Sequence, residues 1–199
     1  MRSARQESRG RASFAREIAR TWPPIVTRPP ILLCGPPPYA VGGGPTHIRN
    51  LLASPLADRF TLVHFESGSR GSESPARDEP WLAKGFRFVT SPAALAWSIL
   101  RVRPRVVHLN SAMDPKGFWR DFVYLGVAKA LGRKTVLQLH GGSLPALLAR
   151  PAMRRMVRSV YSAADALVVL AQSEKRELAQ IGVAERVHSG RVRRLAFMG

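Results

Sequence analysis

From residue 30 onward, short apolar runs bounded by proline and glycine alternate with longer amphipathic stretches. Short runs of this kind read as strands buried on both faces. They are PILLCG (30–35), FTLVHF (60–65), FRFVT (86–90), RVVHLN (105–110), KTVLQLHGG (134–142) and DALVVLA (165–171). Helical spacing of apolar residues, with proline, serine or glycine at the ends, predicts helices over 45–56, 91–104, 117–132, 150–164 and 173–182. Ser91 and Pro92 read as the N-cap and first residue of one of them, and Gly132 closes another. SGSRGSESPARDEP (67–80) is a polar surface loop. Apolar strands with little polar alternation, separated by helices, predict an α/β fold. In it a Rossmann-like parallel sheet is covered by helices on both faces. Ligands of such sheets bind at the carboxyl ends of the strands.

Composition narrows this picture in a few places. The chain has 199 residues, enough for one domain with a real core and short for two. Its 31 basic residues against 13 acidic ones give a formal charge of +18, which attracts anionic partners without specificity. The bases are 26 arginines and 5 lysines, scattered with clusters at both ends, a skew that fits a coding bias as well as a selected basic face. No zinc pattern or aromatic-and-basic sheet motif accompanies the charge, so no specific nucleic-acid partner is expected. Cys34 is the single cysteine, which excludes an intrachain disulfide and reads as a small buried strand residue. No apolar run reaches the length of a membrane span, and the Arg-rich start lacks the apolar core of a secretory signal.

The strand ends hold the candidate chemistry. After the first strand comes GPPPYAVGGGPTH (35–47), whose Gly42, Gly43 and Gly44 would let a ligand or an opposing wall approach the backbone. The amides of this loop and of the following helix can donate to a phosphate or sugar oxygen; the alternative is a flexible loop with no ligand. The loop has neither the G-x-G-x-x-G of dinucleotide binding nor the Gly-Lys-Ser/Thr of a P-loop. His140 precedes Gly141 and Gly142; it can hydrogen-bond a substrate or move a proton, or serve as a structural histidine bonded to nearby backbone. His108, inside an apolar strand, favours a buried, satisfied core role, and His47, in a first helical turn, faces either a cleft or solvent. His64 and His188 carry no assignment. No pair of histidines has metal-ligand spacing with a carboxylate, and no Gly-x-Ser-x-Gly elbow occurs. Arg150, Arg154, Arg155 and Arg158 place a basic face on one helix, either a solvated surface or a contact for anionic lipid.

In their order and spacing, GGGPTHIRNLL (42–52), PRVVHLNS (104–111), KTVLQLHGG (134–142) and ADALVVLAQSEKRELAQIGV (164–183) resemble the N-terminal half of glycosyltransferase family 4, retaining enzymes of the GT-B fold. The resemblance implies two Rossmann-like domains facing across a cleft, the first chiefly holding a sugar acceptor and the second the nucleotide-sugar donor. It implies a catalytic place for His140 beside the transferred sugar. Cleft-binding places follow for Gly42, Gly43, His47, Asn110, Gly141, Gly142 and Ser173, with no metal and no cofactor beyond the nucleotide-sugar co-substrate. The expected location is cytoplasmic, either free or peripheral at the inner face of a membrane.

Past Gly182 and Val183 the family continues with an apolar strand and a Pro-Asn-Gly turn, whereas this chain reads AERVHSGRVRRLAFMG. Pro45 also stands where the family often has a polar residue. The expected organisation is therefore a basic tail (1–29), an N-terminal glycosyltransferase domain (30–183) and an atypical Arg-rich terminus (184–199) without a donor domain, as in the front half of a broken or out-of-frame gene. Such a chain is expected to be inactive alone and to take a nucleotide sugar only with a donor domain. The alternative is a non-catalytic binding module that pairs with a separate donor-domain chain or an anionic surface. A nucleotide-binding oxidoreductase is disfavoured by the missing glycine fingerprint and by the lack of a suitably placed acid after the second strand, Glu66 being the nearest.

Overall fold

The structure, a computed structural model, describes residues 28–67, 81–113, 115–142, 148, 150–183 and 187–189. Residues 1–27 of the tail expected over 1–29, residues 68–80 of the loop expected over 67–80, and residues 184–186 and 190–199 of the terminus expected over 184–199 lie outside the described residues. Six strands form one sheet: β1 (Pro30–Gly35), β2 (Thr61–Glu66), β3 (Val106–Met113), β4 (Lys134–Gly142), β5 (Ala166–Val169) and β6 (Val187–Ser189). Every pairing is parallel, in the order β2-β1-β3-β4-β5-β6. The helices are α1 (Gly43–Leu52), α2 (Leu56–Arg59), α3 (Trp81–Val102), α4 (Pro115–Ala130), α5 (Pro151–Ala163) and α6 (Gln172–Gln180).

The strand order dictates which face each helix covers. Crossovers between parallel strands are right-handed, so a step to one side of the sheet sends its helix to one face and a step to the other side sends it to the opposite face. Only β1 to β2 steps leftward in this order, and its helices α1 and α2 bring Leu51, Leu52 and Leu56 onto Ile31, Leu33, Val106, Val136 and Val168. All later steps run the other way. Their helices supply Leu95 and Ile99 (α3), Phe118 and Leu125 (α4), Val157 and Tyr161 (α5) and Leu178 (α6) to a larger cluster on the opposite face. There they meet Leu32, Cys34, Val107, Leu109, Leu137 and Leu139. The period-two side-chain alternation of each strand feeds both cores. Cys34 is buried as expected, and burial pushes its thiol pKa up.

Two sequence expectations change. FRFVT (86–90) lies within α3, not in a strand. Five alternating residues are too few to separate the strand period from the helical one, and the segment continues without a break into Leu95 and Ile99, which bury a helical face. Pro92, expected to open a helix, sits inside α3, where it forfeits one backbone hydrogen bond. The sixth strand is instead Val187–Ser189, which pairs with Leu167–Val169 and extends the sheet beyond the expected domain boundary at residue 183.

At the amino edge of the sheet, Asp165 joins three elements. Its carboxylate accepts from the Thr135 N–H (2.8 Å) and hydroxyl (2.9 Å) and pairs with Lys129 of α4 and Lys134 of β4. Its own N–H donates back to the Thr135 carbonyl at 3.1 Å. Partial burial raises its pKa, but the Lys129 ammonium and the two Thr135 donors more than offset this and hold the carboxyl below the usual carboxylate range. Asp165→Ala should cost roughly 1.5–3 kcal/mol at neutral pH, the range for hydrogen bonds to a charged group. Because the folded-state pKa is depressed, this stability is present above the unfolded value of 3.8 and fades as pH falls through the folded one. Urea unfolding of both proteins between pH 7 and pH 2 should show the gap closing on the acid side; a gap independent of pH would refute the clamp.

Candidate functional site

Odd positions in the middle of β3 and β4 are apolar and even positions polar: Val107 and Leu109 against His108 and Asn110, Leu137 and Leu139 against Gln138 and His140. The apolar set joins the core under α3 to α6, so the polar set faces the side covered by α1. His108, Asn110 and Gln138 are buried there, and His140 is half-buried at the carboxyl edge. The strand register sets Asn110 beside Gln138 and Ala112 beside His140. It then skips Gly141, pairing Met113 with Gly142, so the backbone departs from regular pairing directly after His140.

A buried amide or imidazole needs a partner, and here each supplies the other. Asn110 Nδ2 donates to the Cys34 carbonyl at 3.2 Å. A carbonyl only accepts, so Asn110 Oδ1 is turned the other way, and His140 Nε2–H donates to it at 2.9 Å. Gln138 Oε1 accepts from His47 Nε2 at 3.0 Å and from His108 Nε2 at 3.1 Å. The His47 and His140 rings lie 4.5 Å apart between centroids, inclined by 59°. Each imidazole thus commits Nε2 to a carboxamide oxygen, and the described residues contain no group of ligating side chains arranged to hold a metal ion.

His47 reaches this network because α1 crosses the end of β1 closely. A Cβ on Gly35 would lie 2.7 Å from Ile48 Cδ1, so a larger residue there would have to displace the Ile48 side chain, which α1 buries against the sheet. Gly42 precedes α1 at φ 136° and ψ 172°, backbone that is essentially reserved for glycine. No side chain caps α1. Pro45 has no N–H, so Gly43 and Gly44 supply the donors at this helix end, where the dipole is positive. Pro45 is buried in the first turn, where proline's missing donor costs nothing.

Of the residues singled out from sequence, His47, Asn110 and His140 come together in one network. Gly42 and Gly43 open the helix that carries His47, and Gly141 and Gly142 end the strand that carries His140. Ser173 is exposed on α6, and no hydrogen bond or ring contact among the described residues links it to the histidines. At that helix end it is Glu174 that binds backbone, accepting from the Leu170 and Ala171 N–H groups at 3.0 Å. His108 has the buried, satisfied role expected of it. Sequence reasoning missed Gln138 and Arg120, whose Nη2 donates to the Asn110 carbonyl at 3.3 Å from the opposite face. For Gln138 the signal was the alternation itself, a lone amide in VLQLH.

Burial sets the charge state of the cluster. Desolvation lowers the His108 pKa to about 3, helped by the neighbouring His47. It lowers that of His140 to about 4, again with His47 contributing, and it lowers that of His47 against the opposing pull of Gln138. All three rings are therefore neutral at pH 7. The unfolded chain protonates these histidines near 6.5 while the folded one does not, so stability should fall as pH drops from about 6.5 toward 4. Urea unfolding over this range should report uptake of about two protons on unfolding. A flat profile would contradict neutral, buried imidazoles.

Among the described residues, no helix is long and apolar enough to cross a membrane. No curated protein matches the chain. The family model described as Glycosyltransferase Family 4 matches residues 41–189, from the glycine loop and α1 through the histidine strands to β6. The match spans most of the chain and the whole polar face, and the all-parallel sheet is the Rossmann-like architecture expected of a GT-B half. The chain belongs to Glycosyltransferase Family 4.

Proposed function

We propose that this domain is the acceptor-side half of a retaining glycosyltransferase, which moves a glycosyl group from a nucleotide sugar to a hydroxyl acceptor such as a lipid-linked or polysaccharide intermediate. Family membership supports glycosyl transfer in general. The finer reading rests on one observation: at the carboxyl edge of the sheet His47, on the helix that opens with the glycine loop, meets His140, at the end of β4.

The chemistry follows from the charge state. Transfer develops negative charge on the departing nucleotide diphosphate, and neutral imidazoles do not offset it. The N–H groups of Gly43 and Gly44 and the positive end of α1 suit that task. His140 spends its Nε2–H on Asn110 and so keeps a lone pair on Nδ1, which accepts from a sugar hydroxyl. Gly141 and Gly142 present backbone beside it, and Ser173 is the outlying member on the same edge of the sheet. The acceptor proton must leave with the departing phosphate, since no group in the histidine network is basic enough to hold it at neutral pH.

The test supplies a donor-side domain from another family member in trans and follows transfer from a panel of nucleoside-diphosphate sugars. Transfer is expected only in the mixture, with the anomeric configuration of the donor kept in the product. His140→Ala should reduce it at least tenfold, about 1.4 kcal/mol of barrier. Transfer by this chain alone would sink the half-domain assignment, and an inverted product would sink retention.

A second reading, surface binding, has its own observation. Arg150, at the N-cap of α5, and Arg154, Arg155 and Arg158 within it are all exposed, and the helix contains no acidic residue. Such a face fits anionic headgroups at the inner face of a membrane. Sedimentation with phosphatidylglycerol vesicles should exceed that with phosphatidylcholine and fall with added salt and with Arg154→Ser/Arg158→Ser. Equal binding to both lipids would rule the surface out.

A further inference from the structure

Gln138 sits in the middle of β4 and is 2% exposed, yet it contacts two imidazoles from two other elements, His47 on α1 and His108 on β3. One carboxamide oxygen has two lone pairs, and the two Nε2–H groups use both. We infer that Gln138 is the positioning residue of the site: its buried oxygen fixes His47 as the neutral Nε2–H tautomer and holds the first turn of α1 so that the His47 ring lies against His140. The inference rests on the reading that a sugar binds beside His140, and its test observes the imidazoles directly.

Three features separate this role from ordinary core filling. A leucine would fill the volume but accept nothing, leaving the buried His108 N–H and the half-buried His47 N–H without this partner. The bond spans 91 residues of sequence and ties the helix after the glycine loop to the strand that ends in His140. The tautomer it selects matches the one Asn110 selects for His140, so both rings leave Nδ1 as an acceptor. A neutral ring with its lone pair on Nδ1 favours a ligand that brings a hydroxyl donor and disfavours an oxyanion. The titratable groups that face His47 are His108 from β3 and His140 from β4. On its own helix Arg49 is bound to the Pro38 and Ala40 carbonyls and the Thr46 hydroxyl.

The experiment is two-bond 1H–15N NMR of the histidine rings in the full chain, with His47→Ala for assignment, in the wild type, Gln138→Glu and Gln138→Met. In the wild type, His47 should carry its proton on Nε2 at pH 7. Gln138→Glu keeps the acceptor but adds a charge that favours imidazolium, so His47 should titrate about one unit or more higher. Gln138→Met keeps the length and removes the acceptor, so a population protonated on Nδ1 should appear. If His47 keeps the same tautomer and titration in both variants, the inference is overturned. Should Gln138→Met not fold, an unchanged His47 titration in Gln138→Glu overturns it alone. Addition of UDP-glucose with the donor domain in trans separates the two claims. A wild-type His47 fixed on Nε2, with no change at His140, refutes the sugar placement while still supporting the role of Gln138.

Discussion

Two carboxamides buried on a sheet of valine, isoleucine and leucine impose the constraint from which the site follows. Leaving a buried polar group unpaired costs about 1–3 kcal/mol, a large share of the stability of a small domain. Asn110 and Gln138 meet this requirement by binding imidazoles, and the imidazoles meet theirs in return. The network closes only if His47 arrives from above, so it fixes where α1 lies. That demand reappears in two glycines. Gly35 permits the close crossing over β1, and Gly42 permits the turn that starts α1 at Gly43.

Topology explains why this happens on one face only. A single leftward step in the strand order assigns α1 and α2 to the polar face and sends α3 to α6 to the other. The four helices on the far side bury a continuous apolar core, which can carry the stability of the domain. The near side is then free to hold polar groups beneath one helix. Arg120 and Asp121, adjacent on α4, reach the same strand end from the apolar side, where Arg120 bonds the Asn110 carbonyl. The carboxyl end of β3 is thus held from both faces, while the side-chain amide of Asn110 remains committed to the histidine side.

Much of this was legible in the sequence, for identifiable reasons. Five of the six strands were found because buried parallel strands are apolar runs bounded by breakers, and a chain of loops and helices separates them. FRFVT misled because its alternation is short and ambiguous. The edge strand Val187–Ser189 escaped because three residues of an Arg-rich segment carry no pattern. His140, His47 and Asn110 were found through strand ends and family resemblance, but their convergence was not visible, because contact between α1 and β4 is a product of topology. Gln138 lay in plain view as the polar break in VLQLH. Its meaning depended on His47 and His108 meeting one oxygen, which no spacing encodes. The register skip at Gly141 was equally invisible, since it is a relation between two strands.

The electrostatic outcome runs against what composition suggests. A chain with a formal charge of +18 would be expected to meet a phosphorylated ligand with cationic side chains. Yet the histidine network is kept neutral by burial. Neutrality has a physical advantage for binding a sugar. A charged imidazolium in this partly desolvated setting would destabilise the fold and bind any anion, whereas a neutral ring with a fixed tautomer distinguishes donors from acceptors. Backbone N–H groups at a helix end complement it, because they stabilise developing charge without a titrating group and need no reorganisation when the charge forms. In the proposed function, the glycine loop would permit a division of labour between a neutral histidine pair and an uncapped helix end. The glycines bring those backbone donors to the helix that carries His47, within one turn of it.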